Sequence, residues 1–438
     1  VDGRVLAFSF TVSIAAGLIF GLIPSAFAAR QSPVDALKSG GRGSTASRRG
    51  PRNALVIAEV ALSLMLLVGA GLLLQSFARL NRVPVGFTAD GLLTFRISLP
   101  SSTYGAAAAM RSFISRLMPK LAGTPGVAHA AASMALPPMI TTMAPYVTGD
   151  QPLVAIGERP VGQWSAITPD YFSTMAIPIV AGRAIADSDT ERSPLVVVIS
   201  QGLARRMWPD ASPIGKKILV GRFPGFAEVI GVAGDVKNNG LAREPMVEMY
   251  TPYPQRPWPA MQFAVRAAAG DPLALVRAVR AAVQDVDREL PITRVETMEA
   301  ALADSISTER LMTWLLFAFA AVALVMAAAG LYGVIAYTVA QRTQEIGVRM
   351  ALGADPRAVV RLVAAEGLRL TAAGMVAGTL AAAGVSRAMR GMLFDVSPAD
   401  PVTYAAVLLI FAATACAALI VPARRALSVD LLTALRAE

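Results

Sequence analysis

Charge is scarce in this 438-residue sequence: 16% of residues are Asp, Glu, Lys or Arg, while 55% are hydrophobic. Ordinary soluble domains carry roughly a quarter charged residues. With a mean hydropathy of +0.54, this composition excludes a disordered chain, and it points to at least one region in lipid. The one cysteine, Cys416, excludes an internal disulfide and a thiolate metal cluster. The one histidine, His129, excludes a histidine-pair zinc site and leaves little room for histidine catalysis; a structural or surface role is expected of it. GxxxxGK[ST] does not occur. Gly215-Lys216-Lys217 lacks the upstream glycine and the hydroxyl residue, so no phosphate-binding loop is expected. GxSxG and paired metal ligands are also missing, so neither a catalytic centre nor a cofactor is expected. The net charge of +10 is not arranged as a basic stripe with interleaved aromatics, which argues against nucleic acid as a partner.

Long uncharged runs are what the sequence does have. A bilayer crossing takes roughly 20 apolar residues, and five runs suit it: 5–29, 53–78 (broken only by Glu59), 311–341, 370–386 and 401–423. Outside 81–310 there are 18 Lys and Arg; if the spans alternate and 30–52 is cytoplasmic, 14 fall inside. Only Arg4, Arg79, Arg387 and Arg390 fall outside, so the basic surplus reads as a topology signal. The expected order is a helix within 1–29, a flexible cytoplasmic linker at 30–52 and a helix at 53–80. An external domain at 81–310 follows, then a helix at 311–341 and a cytoplasmic segment at 342–357. A helix at 358–390, an outer loop at 391–400, a helix at 401–424 and a cytoplasmic tail at 425–438 complete it. The fold class is therefore an α-helical membrane bundle of five transmembrane helices with a large inserted α+β extracytoplasmic domain. At 1.5 Å per residue the 311–341 run is roughly 46 Å long against ~30 Å of hydrocarbon, so it either tilts strongly or projects beyond the membrane.

The external segment has 22 Lys and Arg, 20 Asp and Glu and no spanning run. Strands are expected at 92–99, 195–200, 227–236, 261–267 and near 292–295, and helices at 106–121, 201–208 and 272–286. Asp271 followed by Pro272 is an N-cap with proline at the first helical position. The ends of the chain also echo one another: residues 1–38 overlay 399–436 without a gap, pairing Asp2 with Asp400 and Pro24 with Pro422. The run 1–29 thus reads as the last helix of a preceding unit.

Some smaller features remain. Glu59 is a carboxylate within a span, either functional or reaching the cytoplasmic interface. Gly17/Gly21 and Gly374/Gly378 are GxxxG spacings that permit close helix approach. After the third long run, QRTQEIGVRMALGADPRAVVRL (341–362) places Arg342, Glu345 and Arg349 on one polar helical face, with Ile346 and Met350 on a partly apolar one. Gly353 and Pro356 supply a stop and a restart. Such a helix either docks into a partner's groove or lies on the membrane surface.

These residues carry a family likeness. QRTQEIGVRMALGA at 341–354 resembles the cytoplasmic coupling segment of MacB/FtsX-type ABC transporter permeases, and PARRALSVDLLTALR at 422–436 resembles their ending. ITPDYFSTMAIPIVAGRAI at 167–185, VVVISQGLARRMWPDASPIGKKI at 196–218 and EVIGVAGDVK at 228–237 resemble the MacB-like periplasmic core. LVIAEVALSLMLLVGAGLLLQSF at 55–77 resembles the first helix of the second unit in duplicated permeases of the acidobacterial type, of which this chain would be the C-terminal portion. The resemblance implies a multi-pass protein of the bacterial inner membrane with 81–310 in the periplasm, passing the motion of a separate cytoplasmic ABC ATPase to that domain for export or efflux. Regulation of a cell-envelope hydrolase and lipoprotein extraction are the alternatives. Implied partners are the ATPase, a second permease unit (a missing N-terminal half or a second copy), membrane lipid and a periplasmic adaptor. Carried over, Gln344, Glu345, Ile346, Gly347, Arg349, Leu352 and Gly353 would contact the ATPase.

Overall fold

The computed structural model describes residues 49–139, 142–341 and 356–427, and a few single positions near the start. These fall into two units: an external one, Leu73–Leu315 with Gly391–Val396, and a helical one holding the rest.

In the helical unit, four helices are long and apolar enough to cross a membrane: Asn53–Leu80, Ser307–Ala340, Gly367–Met392 and Pro401–Ile420. They belong to α1 (Arg49–Leu80), α7 (Ser307–Gln341), α8 (Pro356–Ala388) and α9 (Pro401–Leu427). The fifth expected span, within 1–29, lies outside the described residues apart from single helical positions. Small residues let the helices of the bundle approach closely, beside buried side chains such as Leu64, Leu331 and Phe411. Cβ atoms at Gly374 and Gly378 of α8 would run into Val60 and into the Ala61 and Leu64 region of α1, so the GxxxG spacing brings two backbones together. Gly71 of α1 similarly admits Thr403 of α9. Ser63 Oγ donates to the Ala323 carbonyl of α7 at 2.8 Å, and Ser386 meets the Tyr404 hydroxyl at 3.2 Å.

The external unit begins with β1 (Leu92–Ser98), α2 (Ala107–Ala122) and β2 (Val127–Ser133). It ends with β10 (Ala260–Ala267), α5 (Val276–Val286), β11 (Thr293–Thr297) and α6 (Met298–Ser305). The four strands pair antiparallel in the order β11-β1-β10-β2, a split β-α-β arrangement. Alternation decides which side is covered. Leu93, Phe95 and Ile97 share a face with Met261, Phe263 and Val265, and onto it pack Phe113, Leu117 and Leu121 of α2 and Val279 and Val283 of α5. Phe95 stacks on its register partner Phe263 with ring centroids 4.9 Å apart. Before α5, Asp271 accepts from the Leu273 amide at 2.9 Å, as the sequence leads one to expect, although the first turn after Pro272 is a 3-10 turn.

Between β2 and β10 the chain builds a second body from β3 (Met143–Thr148), β4 (Val161–Ile167), α3 (Tyr171–Met175), β5 (Ile179–Gly182), β6 (Val196–Ser200), α4 (Gln201–Met207), β7 (Lys217–Val220), β8 (Ala227–Ala233) and β9 (Glu248–Pro252). Pairing runs β4-β3-β7-β8-β6-β9 and returns to β4 through a parallel β4–β9 ladder. Six strands thus close on themselves, which removes exposed edges. A bridge between Ser133 and Ile167 joins the ring to the first sheet. Ring strands are buried on both faces: Val197 and Ile199 of β6 enter one apolar cluster, Val196 and Val198 the other.

Candidate functional site

The seven expected ATPase-contact residues, Gln344, Glu345, Ile346, Gly347, Arg349, Leu352 and Gly353, lie outside the described residues. The helices on either side are described: α7 ends at Gln341 and α8 starts at Pro356, a residue suited to a first helical position. Helix α7 runs 35 residues without a break. Its residues to Leu315 cluster with the external unit and those from Leu316 with the helical one. Glu59 lies within the helical unit with its carboxylate against Gly330 of α7, where a Cβ would collide with it. His129 is exposed on β2, opposite Arg266, so it is a surface histidine.

The external unit holds three features of chemical interest. The first is a cleft of about 610 Å³ between α2 and the 168–170 and 185–191 loops. Ile114, Met118 and Pro169 give it apolar walls, and Asp170, Asp187 and Glu191 give it an acidic rim. Arg111 pairs with Glu191 and also donates to the Pro254 carbonyl at 3.2 Å. The rim loop is braced by a bidentate pair, Arg183 to Asp189 at 2.8 and 2.9 Å, and by the Ala186 amide at 2.9 Å. The hydrogen bonds from Arg183 hold the Asp189 carboxyl below the usual carboxylate range.

The second is a buried polar cluster around Glu248, a residue 3% exposed. Asn238 Nδ2 donates to its Oε2 at 2.9 Å and Ser165 Oγ to its Oε1 at 3.3 Å; the Tyr250 hydroxyl also bonds to it. Burial pushes the carboxyl up to about 7 against the pull of those three bonds. Its backbone amide donates at 3.0 Å to Ser200 Oγ, which also caps α4 by accepting from the Leu203 amide. Asn238 turns its other atoms on the chain: its Oδ1 accepts from the Met246 amide at 3.0 Å, clamping the 238–246 loop. In the β4–β9 ladder Gln163 stands opposite Glu248, and its Oε1 is buried with no hydrogen-bond partner.

That loop forms part of the third feature, the base of the external unit. One groove there, about 760 Å³, is lined by Arg79, Arg82, Lys237, Arg243, Phe394 and Asp395 among others. A second, about 530 Å³, is mainly apolar and includes Phe77, Leu80, Leu241, Ile306 and Trp314. Sequence reasoning missed both the cluster and the base. The signal for the cluster was Glu248, a lone carboxylate in an otherwise uncharged strand. The base draws on segments more than 150 residues apart, as between Arg82 and Lys237 or Lys237 and Phe394, which no local pattern links.

Comparison with known proteins gives two family matches. Residues 53–285 match the MacB-like periplasmic core domain, and 317–431 match the FtsX-like permease C-terminal domain. A probable syringafactin export ATP-binding/permease protein of Pseudomonas syringae is 29% identical over 62% of this chain and 42% of its own length. A macrolide export ATP-binding/permease protein, MacB, of Bdellovibrio bacteriovorus is 26% identical over 56% of this chain and 39% of its own length. The chain thus spans about two-fifths of the length of these curated relatives. Among solved structures, the periplasmic region of MacB from Actinobacillus actinomycetemcomitans aligns with 49% of this chain and 92% of that one, at 14% identity and a TM-score of 0.34.

Proposed function

Because the chain belongs to the MacB/FtsX-type ABC transporter permease family, we propose that it is a permease subunit that carries the ATP-driven motion of a cytoplasmic ATPase to its periplasmic domain, for export. It resides in the bacterial inner membrane, with residues 81–310 in the periplasm. The observation that carries this reading is α7, a single 35-residue helix beginning in the external unit and continuing in the helical one. At 1.5 Å per residue it is roughly 52 Å long, well beyond the hydrocarbon thickness, and an unbroken helix is a stiff covalent connector. At its far end Gln344, Glu345, Ile346, Gly347, Arg349, Leu352 and Gly353 dock on the ATPase. Charge-assisted bonds from Glu345 and Arg349, once desolvated, are worth about 1–3 kcal/mol each.

The relatives named above are ATP-binding/permease proteins in a single polypeptide. We assign the ATPase to a separate cytoplasmic polypeptide, as the MacB/FtsX-type resemblance implies; the 438 residues themselves contain no GxxxxGK[ST]. A second permease unit, either a second copy or a first half preceding residue 1, completes the pair, and a periplasmic adaptor receives the cargo. The cleft of about 610 Å³ supports transport of a small molecule over regulation of an envelope hydrolase, since drug-sized ligands occupy about 300–1,000 Å³. A second reading, extraction of a lipidated cargo from the outer leaflet, is favoured by the apolar groove around Leu80 and Trp314.

Crosslinked pull-down from native membranes, with ATPase assay of the eluate, tests the main reading. An ATPase should co-elute with the wild type and be lost or uncoupled in the folded Glu345→Lys/Arg349→Glu variant. Unchanged coupling in that variant removes the docking role; no ATPase from either protein removes the transporter reading of this chain.

A further inference from the structure

The outer end of α1, like the stretch of Arg387 and Arg390, departs from the charge rule that orients the chain. Cations are normally kept on the cytoplasmic side of spans, yet Arg79 sits in the last turn of α1 and Arg82 follows three residues later. Folding adds Lys237 and Arg243 to the same groove, so four cations face two carboxylates, Glu244 and Asp395. Asp395 is paired with Arg79. Lys237 Nζ donates to the Arg243 carbonyl at 2.7 Å and stands 6.0 Å over the Phe394 ring. Among the described residues, the exposed guanidinium groups of Arg82 and Arg243 enter no salt bridge.

The groove is preorganised. The Lys237 amide donates to the Val85 carbonyl at 2.9 Å, Asn238 clamps the loop as described, and the Phe394 amide donates to Ser76 Oγ at 2.8 Å. Gly86, at φ +83°, passes so close to the Asp235 carbonyl that a Cβ would collide with it. Val83 lines both this groove and the apolar one. A cationic groove thus adjoins an apolar one at the point where the hydrophobic stretch of α1 stops. That is the depth of lipid headgroups, and an anionic head with an acyl tail complements the pair in charge and polarity.

We infer that the base of the external unit is a binding site for an anionic phospholipid of the outer leaflet. Arg82 and Arg243 hold the phosphate by forked, charge-assisted hydrogen bonds, with Lys237 as a nearby point charge. An acyl chain lies along Leu80, Leu241 and Trp314. The inference rests on α1 as a span and on the external placement of the unit, and it stands whether or not the chain exports anything.

Native mass spectrometry of the full chain released from nanodiscs of equal phosphatidylglycerol and phosphatidylcholine tests it. The wild type should retain phosphatidylglycerol at least about tenfold over phosphatidylcholine, since each cation near an anionic surface gives roughly a fivefold preference. Arg82→Glu/Arg243→Glu should abolish that preference. Arg277→Glu/Arg280→Glu, an equal charge change on α5, should preserve it. Arg82→Gln/Arg243→Gln, which removes charge without adding any, should lower it several-fold and serves if the reversal does not fold. Excess inorganic phosphate should leave the retained lipid in place. The inference is overturned if the wild type has no preference, if the variants at Arg82 and Arg243 keep it, or if inorganic phosphate displaces the lipid completely, which would mark a site for free phosphate instead.

Discussion

The two units differ in what their surfaces and closest contacts are made of. In the external unit, large side chains meet between sheets and helices: Phe95, Phe263, Phe113, Tyr146 and Tyr250 are all fully buried. In the helical unit, glycines and Ser63 mark close helix approaches beside buried side chains such as Leu64 and Phe411, and many large apolar residues such as Phe319, Val325 and Leu409 are exposed. The difference follows from the solvent. Water drives apolar groups inward in the external unit. Lipid is as apolar as leucine, so helices there associate through close backbone approach and a few polar bonds. The same substitution should therefore have different consequences in the two units.

The largest expected effect lies in the sheet. Phe263→Ala removes a fully buried ring stacked on Phe95, and thermal or chemical unfolding should register a loss of about 3–5 kcal/mol. A cost under about 1 kcal/mol would mean that the external core is not packed as described.

Next is Glu248. Its carboxyl is raised in the folded protein to about 7 from an ordinary value of 4.5, so the folded state holds a proton that the unfolded state has already released. Stability is therefore unpenalised below about pH 4.5, falls as pH rises through that value and levels off above about pH 7, a loss of about 3 kcal/mol. Glu248→Gln should flatten that dependence and leave the variant more stable than wild type at pH 8. A wild-type profile that is flat from pH 5 to pH 8 would contradict the buried setting of this carboxyl.

The helical unit inverts the rule of size. Gly378→Val puts bulk where α8 meets the Ala61 backbone, and overpacking should cost about 1–3 kcal/mol, seen as a lower melting temperature in detergent. Smallest is Ser63→Ala, which deletes the 2.8 Å bond to Ala323. Interhelical hydrogen bonds in membranes average about 0.6 kcal/mol, so a change above about 2 kcal/mol would show that the bundle relies on polar bonds more than on close packing.

Legibility in the sequence followed locality. Four of the five expected span-length helices, the α2 and α5 faces and the Asp271 cap are local patterns found among the described residues, while the fifth span, within 1–29, lies outside them. Strands β1, β6, β8 and β10 were also readable from runs such as LLTFRIS and VVVIS. Closure of the six-stranded ring was not. Strands β3, β4 and β9 read MAPYVT, VGQWSAI and EMYTP, with burial on both faces instead of alternation. Their pairings join residues far apart, such as Gln163 with Glu248. The Glu248 cluster depends on that closure and left only a lone carboxylate in an uncharged strand as its signal, and the basic groove joins segments more than 150 residues apart, so it had no local signature.

The central claim is that α7 carries motion from the ATPase side to the external unit. It is tested most directly by hydrogen–deuterium exchange of the full chain with its co-purified ATPase, with and without a non-hydrolysable ATP analogue. Exchange is read at residues 108–122 and 185–191, around the cleft. The comparison is with Leu315→Gly/Leu316→Gly, which softens α7 where it leaves the external unit, each glycine costing about 1 kcal/mol of helix stability. The expected result is an analogue-dependent change at the cleft in wild type that disappears in the variant while ATPase binding persists. An identical change in both proteins, or none in wild type with the ATPase bound, would contradict transmission through α7.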